Sequence, residues 1–120
     1  MVAHGAVLRK NFFTGEQVVA ILKDYHQAGL EPEEVVVMDF AAKISRDAHS
    51  VTSQDVQSLR DIGLSDTEIL DVTLAVSARN LFTRVLDGLG ALPNAEYGEK
   101  DAEIWAYVMG EETPAKAPVV

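Results

Sequence analysis

The stretch opened by Ser65-Asp66-Thr67-Glu68 and running to about Gly88 or Gly90 constrains this chain more than any other part of it. A serine followed three residues later by glutamate is a capping box, a helix start in which each side chain satisfies the other residue's free amide. Ile69, Val72 and Val76 then lie on one face, and Leu70, Leu74, Leu81 and Val85 on another. A helix apolar nearly all round is covered on both sides. The expectation is a helix at the centre of a bundle or in a contact between subunits.

The other starts and stops also favour helices. Thr14-Gly15-Glu16-Gln17 is a capping box, followed by Val18, Val19, Ile21, Leu22 and Tyr25 at helical spacing. Gly29 supplies a stop, which predicts a helix over about 15–28. Pro32, Glu33 and Glu34 suit a first helical turn. Val35, Val36 and Val37 are β-branched and would suit a strand. Met38, Ala41 and Ala42 nevertheless continue a helical pattern, and Asp39 and Lys43 stand as an i, i+4 pair, so a buried helix to about Arg46 is predicted. Thr52, with Asp55 three residues on, starts another helix, with Val56, Leu59 and Ile62 on one face and Gly63 as its end. Leu92-Pro93-Asn94 breaks the chain. Residues 100–109 suggest a short helix docking through Ile104, Trp105 and Val108, and 111–120 reads as a tail. With no strand–helix alternation, the fold class is all-α, a small helical bundle.

Composition excludes several functions. The 120 residues hold no cysteine, which removes disulfides, thiol catalysis and thiolate metal sites from the chain itself. The net charge of −9, with ten scattered basic residues, disfavours nucleic acid as a partner. No apolar run reaches the roughly 18 residues of a membrane span, and no signal peptide is evident, so the expectation is a cytoplasmic protein without a membrane partner. Gly88-Leu89-Gly90 comes after a helix rather than a strand and reads as a helix stop, not a phosphate loop. No cofactor motif is present. His26 and His49 lack a metal-ligand spacing, so no metal site is expected. Asp39, Asp71 and Asp87 lie on helices with apolar faces, but their spacing brings no two together for acid–base work. Arg79 and Asn80 need polar partners wherever the long helix is buried.

Three stretches carry a family resemblance. Ala3-His4-Gly5-Ala6-Val7-Leu8-Arg9 is similar to the run after the second cysteine of an E-x-x-C-x-x-C-x-x-x-H-G motif. Met38-Asp39-Phe40-Ala41-Ala42-Lys43, then Val51-Thr52-Ser53-Gln54-Asp55-Val56, resembles an L-D-F-A-x-K segment and a V-T-x-x-D-V start. Gly63-Leu64-Ser65-Asp66-Thr67-Glu68-Ile69, then Asn80 to Gly90, resembles G-L-S-D-x-E-I and a later N-x-x-x-R-x-x-D-x-L-G. Together they resemble the alkylhydroperoxidase / carboxymuconolactone decarboxylase family, in particular its peroxidase-related branch.

The resemblance implies an all-α domain over 1–92, the C-terminal part of the family fold without its N-terminal helices. An additional short helix would come next over 93–110, and a tail over 111–120. It implies a homo-oligomer, whether dimer, trimer or hexamer. It also implies an antioxidant oxidoreductase that works without a cofactor and draws on a thiol reductant. In such enzymes a thiolate attacks a hydroperoxide, releasing the alcohol and leaving a sulfenic acid; a second thiol displaces water from it as the disulfide forms, and a dithiol restores the pair. The resemblance assigns His4 the proton relay, with the cysteine pair falling just before Met1; the run from Met1 accordingly reads as the interior of a helix. A cysteine-free chain is therefore expected to be inactive as a peroxidase. The alternatives are a non-catalytic helical oligomer with a binding or assembly role and, further off, a thiol-independent decarboxylase.

Overall fold

The computed structural model describes residues 8, 10–92, 94, 96, 99 and 102–110, with Glu103 described by its backbone only. Among these residues the secondary structure is helical, with no strand. Five α-helices have both ends described: α1 (Gly15–Asp24), α2 (Pro32–Asp47), α3 (Ser53–Asp61), α4 (Asp66–Gly88) and α5 (Ala102–Met109). Short 3-10 turns, Tyr25–Gln27 and Ala48–Ser50, extend α1 and α2. No helix among the described residues is long and apolar enough to cross a membrane.

The starts obey the local chemistry. Thr14 and Gln17 form a reciprocal box: the Gln17 amide N–H donates to Thr14 Oγ1 at 3.2 Å, and the Thr14 N–H to Gln17 Oε1 at 3.0 Å. At α2, the Glu34 carboxylate accepts the Glu31 N–H at 2.9 Å, and Pro32 occupies the first turn, where no amide is needed. These signals outweigh the β preference of Val35, Val36 and Val37, which are helical and half-buried. At α4, Glu68 accepts from the Ser65 amide and hydroxyl at 2.8 and 2.6 Å. These hydrogen bonds to the charged form hold the Glu68 carboxyl below its ordinary range, the Ser65 hydroxyl contributing most.

One boundary differs from the sequence expectation. The α-helical geometry of α1 ends at Asp24 instead of near Ala28. Asp24 adopts φ −160°, and its carboxylate accepts the His26 N–H at 3.0 Å. A short acidic side chain that captures a nearby amide competes with the helix ladder and converts the last turn to a 3-10 turn.

The chain divides into two compact units, residues 30–85 and residues 1–29 with 86–120. In the 30–85 unit, Phe40 from α2, Leu59 from α3 and Ile69 from α4 form the buried core. Val36, Val37, Ile44, Val56, Ile62 and Val72 pack around it. In the other unit Val18 and Ile104 are buried, and the Tyr107 hydroxyl donates to the Leu22 carbonyl at 2.9 Å, joining α5 to α1. Trp105 and Val108, expected to dock beside Ile104, are half-buried.

The long helix buries only one of its two apolar faces within the chain. Of its 23 residues, Ile69 alone is buried. Its inner face packs through Ile69 and Val72, while Leu70, Leu74, Leu81 and Val85 stand in solvent at 49–63% exposure. Within the 30–85 unit α4 is covered on one side only.

Candidate functional site

The strongest polar cluster joins α2 to α3. Lys43 Nζ donates to both oxygens of Asp55, at 2.9 Å to Oδ1 and 2.7 Å to Oδ2. Asp55 Oδ2 also accepts from the Thr52 amide at 2.6 Å and the Thr52 hydroxyl at 2.8 Å. The carboxylate therefore closes the capping box of its own helix and holds the preceding helix with the same atoms. The Lys43 hydrogen bond, then those from Thr52, lower the Asp55 pKa from 3.8 to about 2. Sequence spacing pairs Lys43 with Asp39 on its own helix; the structure gives Lys43 Nζ a bidentate bond to Asp55 on the next helix. As the third helical residue of α3, Asp55 is fixed by the cap at the height of Lys43, one helix away.

This pair lines a cleft of about 250 Å³ with Val36, Asp39, Phe40 and Ser58. Asp55 accepts hydrogen bonds from both Lys43 and Thr52 and is held ionised, so it is a poor proton acceptor near neutral pH. The chemistry of the pair is positional: it sets α3 against α2 over the Phe40–Leu59 core.

A second cleft, about 390 Å³, lies between α2 and α4 and is lined by Ser45, Ala75, Val76, Arg79 and Asn80. Asn80 Nδ2 donates to Ser45 Oγ at 3.3 Å, a long hydrogen bond that supplies the partner this mid-helix amide needs. Arg79 is half-buried at the same cleft.

His4, to which the resemblance assigns the proton relay, lies outside the described residues. Of the three aspartates considered for acid–base work, Asp39 lines the first cleft, while Asp71 and Asp87 are exposed along α4. His26 Nδ1 lies 3.3 Å from Asp24 Oδ1, and its ring stacks on Tyr25 with centroids 4.2 Å apart. His49 is exposed in the turn after α2. Among the described residues no three histidine or acidic side chains converge on a metal position. Sequence reasoning missed the Lys43–Asp55 bond. The available signal was a lysine near the end of one helix and an acidic third residue in the next.

Compared with family models and with curated proteins, the chain matches none.

Proposed function

We propose that this chain is an alkylhydroperoxidase-like, peroxidase-related protein, an antioxidant oxidoreductase by family, cytoplasmic and homo-oligomeric. The observation that carries the reading is the Lys43–Asp55 bond. It ties Met38–Lys43 to Val51–Val56, the two halves of the second stretch on which the resemblance rests. Among the 120 residues no cysteine is available to attack a peroxide, so the chain by itself is a scaffold for that chemistry and is inactive.

The test has two arms. The coding sequence ahead of Met1 is read in frame, and the protein is made with and without that extension. The reading expects a Glu-x-x-Cys-x-x-Cys in the extension and dithiol-dependent loss of an organic hydroperoxide with the longer protein only. An upstream frame lacking the cysteine pair sinks the thiol reading. Turnover by the cysteine-free chain overturns its mechanism.

A second reading, a non-catalytic helical oligomer with an assembly role, is favoured by the uncovered apolar face of α4. Native protein whose intact mass begins at Met1 supports it; a longer native protein counts against it.

A further inference from the structure

The exposed face of α4 has an internal symmetry. Leu70, Leu74, Leu81 and Val85 are 55, 57, 63 and 49% exposed, and the steps between them are four, seven and four residues. The sequence of steps is the same read from either end. Its midpoint falls between Ser77 and Ala78, two small exposed residues on the same stripe. On a helix of 100° per residue these six positions lie within about a third of the circumference, opposite the Ile69–Val72 side that packs in the core.

We propose that two copies of this chain pair through α4 in an antiparallel, two-fold contact centred between Ser77 and Ala78. A two-fold contact places one patch against itself, so residue i meets j and j meets i. Here Leu70 meets Val85 of the second copy, Leu74 meets Leu81, and the small residues meet where the backbones come nearest. On one flank Phe82, 64% exposed, comes within a helical turn of the exposed Ala75 of the second copy, a large side chain beside a small one.

Charge selects the same direction. At 100° per residue Asp66 and Arg84 share one flank of the stripe, at the start and near the end of α4, whereas Glu68 and Arg79 point away from it, Arg79 into the α2–α4 cleft. Antiparallel pairing brings Arg84 of each copy toward Asp66 of the other and opposes the two helix dipoles favourably. Parallel pairing would align the two helix dipoles unfavourably.

The area is also adequate. The half-exposed leucines and valine, with their small neighbours and Phe82, offer on the order of 500 Å² per chain, and two copies would bury roughly 1,000 Å², where specific interfaces begin. An apolar patch of this size is at the upper end of what a monomer leaves uncovered.

This pairing rests on the assembly reading, and its tests separate the two. The mass of the purified protein is measured across concentrations by light scattering and sedimentation, alongside the Leu74→Asp/Leu81→Asp variant. We expect an even-numbered oligomer for the parent protein and loss of that contact in the variant. Helical circular dichroism should be unchanged, because both positions are exposed.

The parent chain has no cysteine, so single introduced thiols report register without background. Leu70→Cys and Val85→Cys proteins, mixed and oxidised, should form a crosslinked heterodimer. Each alone should crosslink poorly, because the two copies of either position then lie roughly 22 Å apart along the helices. A monomeric parent overturns both the pairing and the assembly reading. An oligomer that survives the double aspartate variant, or one in which Leu70→Cys alone crosslinks as well as the mixture, overturns the pairing and leaves the assembly reading standing.

Discussion

Lys43 and Asp55 are twelve residues apart in sequence and in direct contact, with both carboxylate oxygens within 2.9 Å of one ammonium. Two structural tasks meet in one side chain. Asp55 satisfies the amide of Thr52 at the start of α3, and it holds the C-terminal half of α2 through Lys43. A cap alone would start α3 without orienting it; an ion pair alone would leave the helix start open.

Replacing Asp55 by Asn should therefore cost more than replacing Lys43 by Met. Asp55→Asn weakens the cap and removes the charge partner together, whereas Lys43→Met leaves the capping box intact. Thermal unfolding should fall by a few degrees for Asp55→Asn and by less for Lys43→Met. The double variant should be close to Asp55→Asn alone, since the ion pair is lost only once. A Lys43→Met effect equal to or larger than that of Asp55→Asn would show that the cap contributes nothing.

Acid should abolish the same contribution. The Asp55 carboxyl is held at about 2 in the fold against 3.8 ordinarily, so the folded chain binds this proton less readily than the unfolded one. Its stabilisation is complete above about pH 4 and is lost as pH falls toward 2. Glu68, also held low by Ser65, adds to the acid limb in the same direction. Melting curves from pH 6 to pH 2 should show the gap between the parent and Asp55→Asn narrowing below about pH 4. A gap constant to pH 2 would show that the carboxylate makes no pH-dependent contribution.

What the sequence makes legible is local. Thr14 with Gln17, Thr52 with Asp55 and Ser65 with Glu68 announce helix starts because each box is complete within four residues. The end of α1 is less legible because Asp24 can either continue a helix or capture the His26 amide, and that choice is made by side-chain geometry. The partner of Lys43 is hidden for a different reason. Asp55 lies twelve residues further on, and only the crossing of α2 and α3 brings its carboxylate to Lys43. The two apolar faces of α4 are visible in the sequence, but spacing alone does not say that one of them is left in solvent. For the candidate site, His4 rests on motif order alone, since it lies outside the described residues.

Gly63 should tolerate substitution poorly although it has room. It adopts φ +97° as the chain leaves α3, and an added Cβ would meet nothing within 4 Å. The cost of a side chain there is backbone strain alone. The Gly63 N–H donates to the Arg60 carbonyl at 2.9 Å and the Leu64 N–H to the Leu59 carbonyl at 3.1 Å, so this stop also sets the start of α4. Gly63→Ala should destabilise by about 1 kcal/mol in urea unfolding, and Gly63→Asn by less, because asparagine enters positive φ more readily. Equal stability of Gly63→Ala and the parent would mean that the turn relaxes to a negative φ.

Leu59 is the sharpest probe of the 30–85 core. It is fully buried in one cluster with Phe40 and Ile69, so three helices converge on it. Truncation to Ala removes apolar contacts from α2, α3 and α4 at once and leaves a cavity that the backbone closes only in part. The expected loss is about 3 kcal/mol, measured by chemical unfolding. Leu92, 60% exposed, serves as the control, and Leu92→Ala should shift stability by less than about 0.5 kcal/mol. If the two substitutions cost the same, Leu59 is not at the point where these helices meet, and the packing that places Lys43 beside Asp55 fails with it.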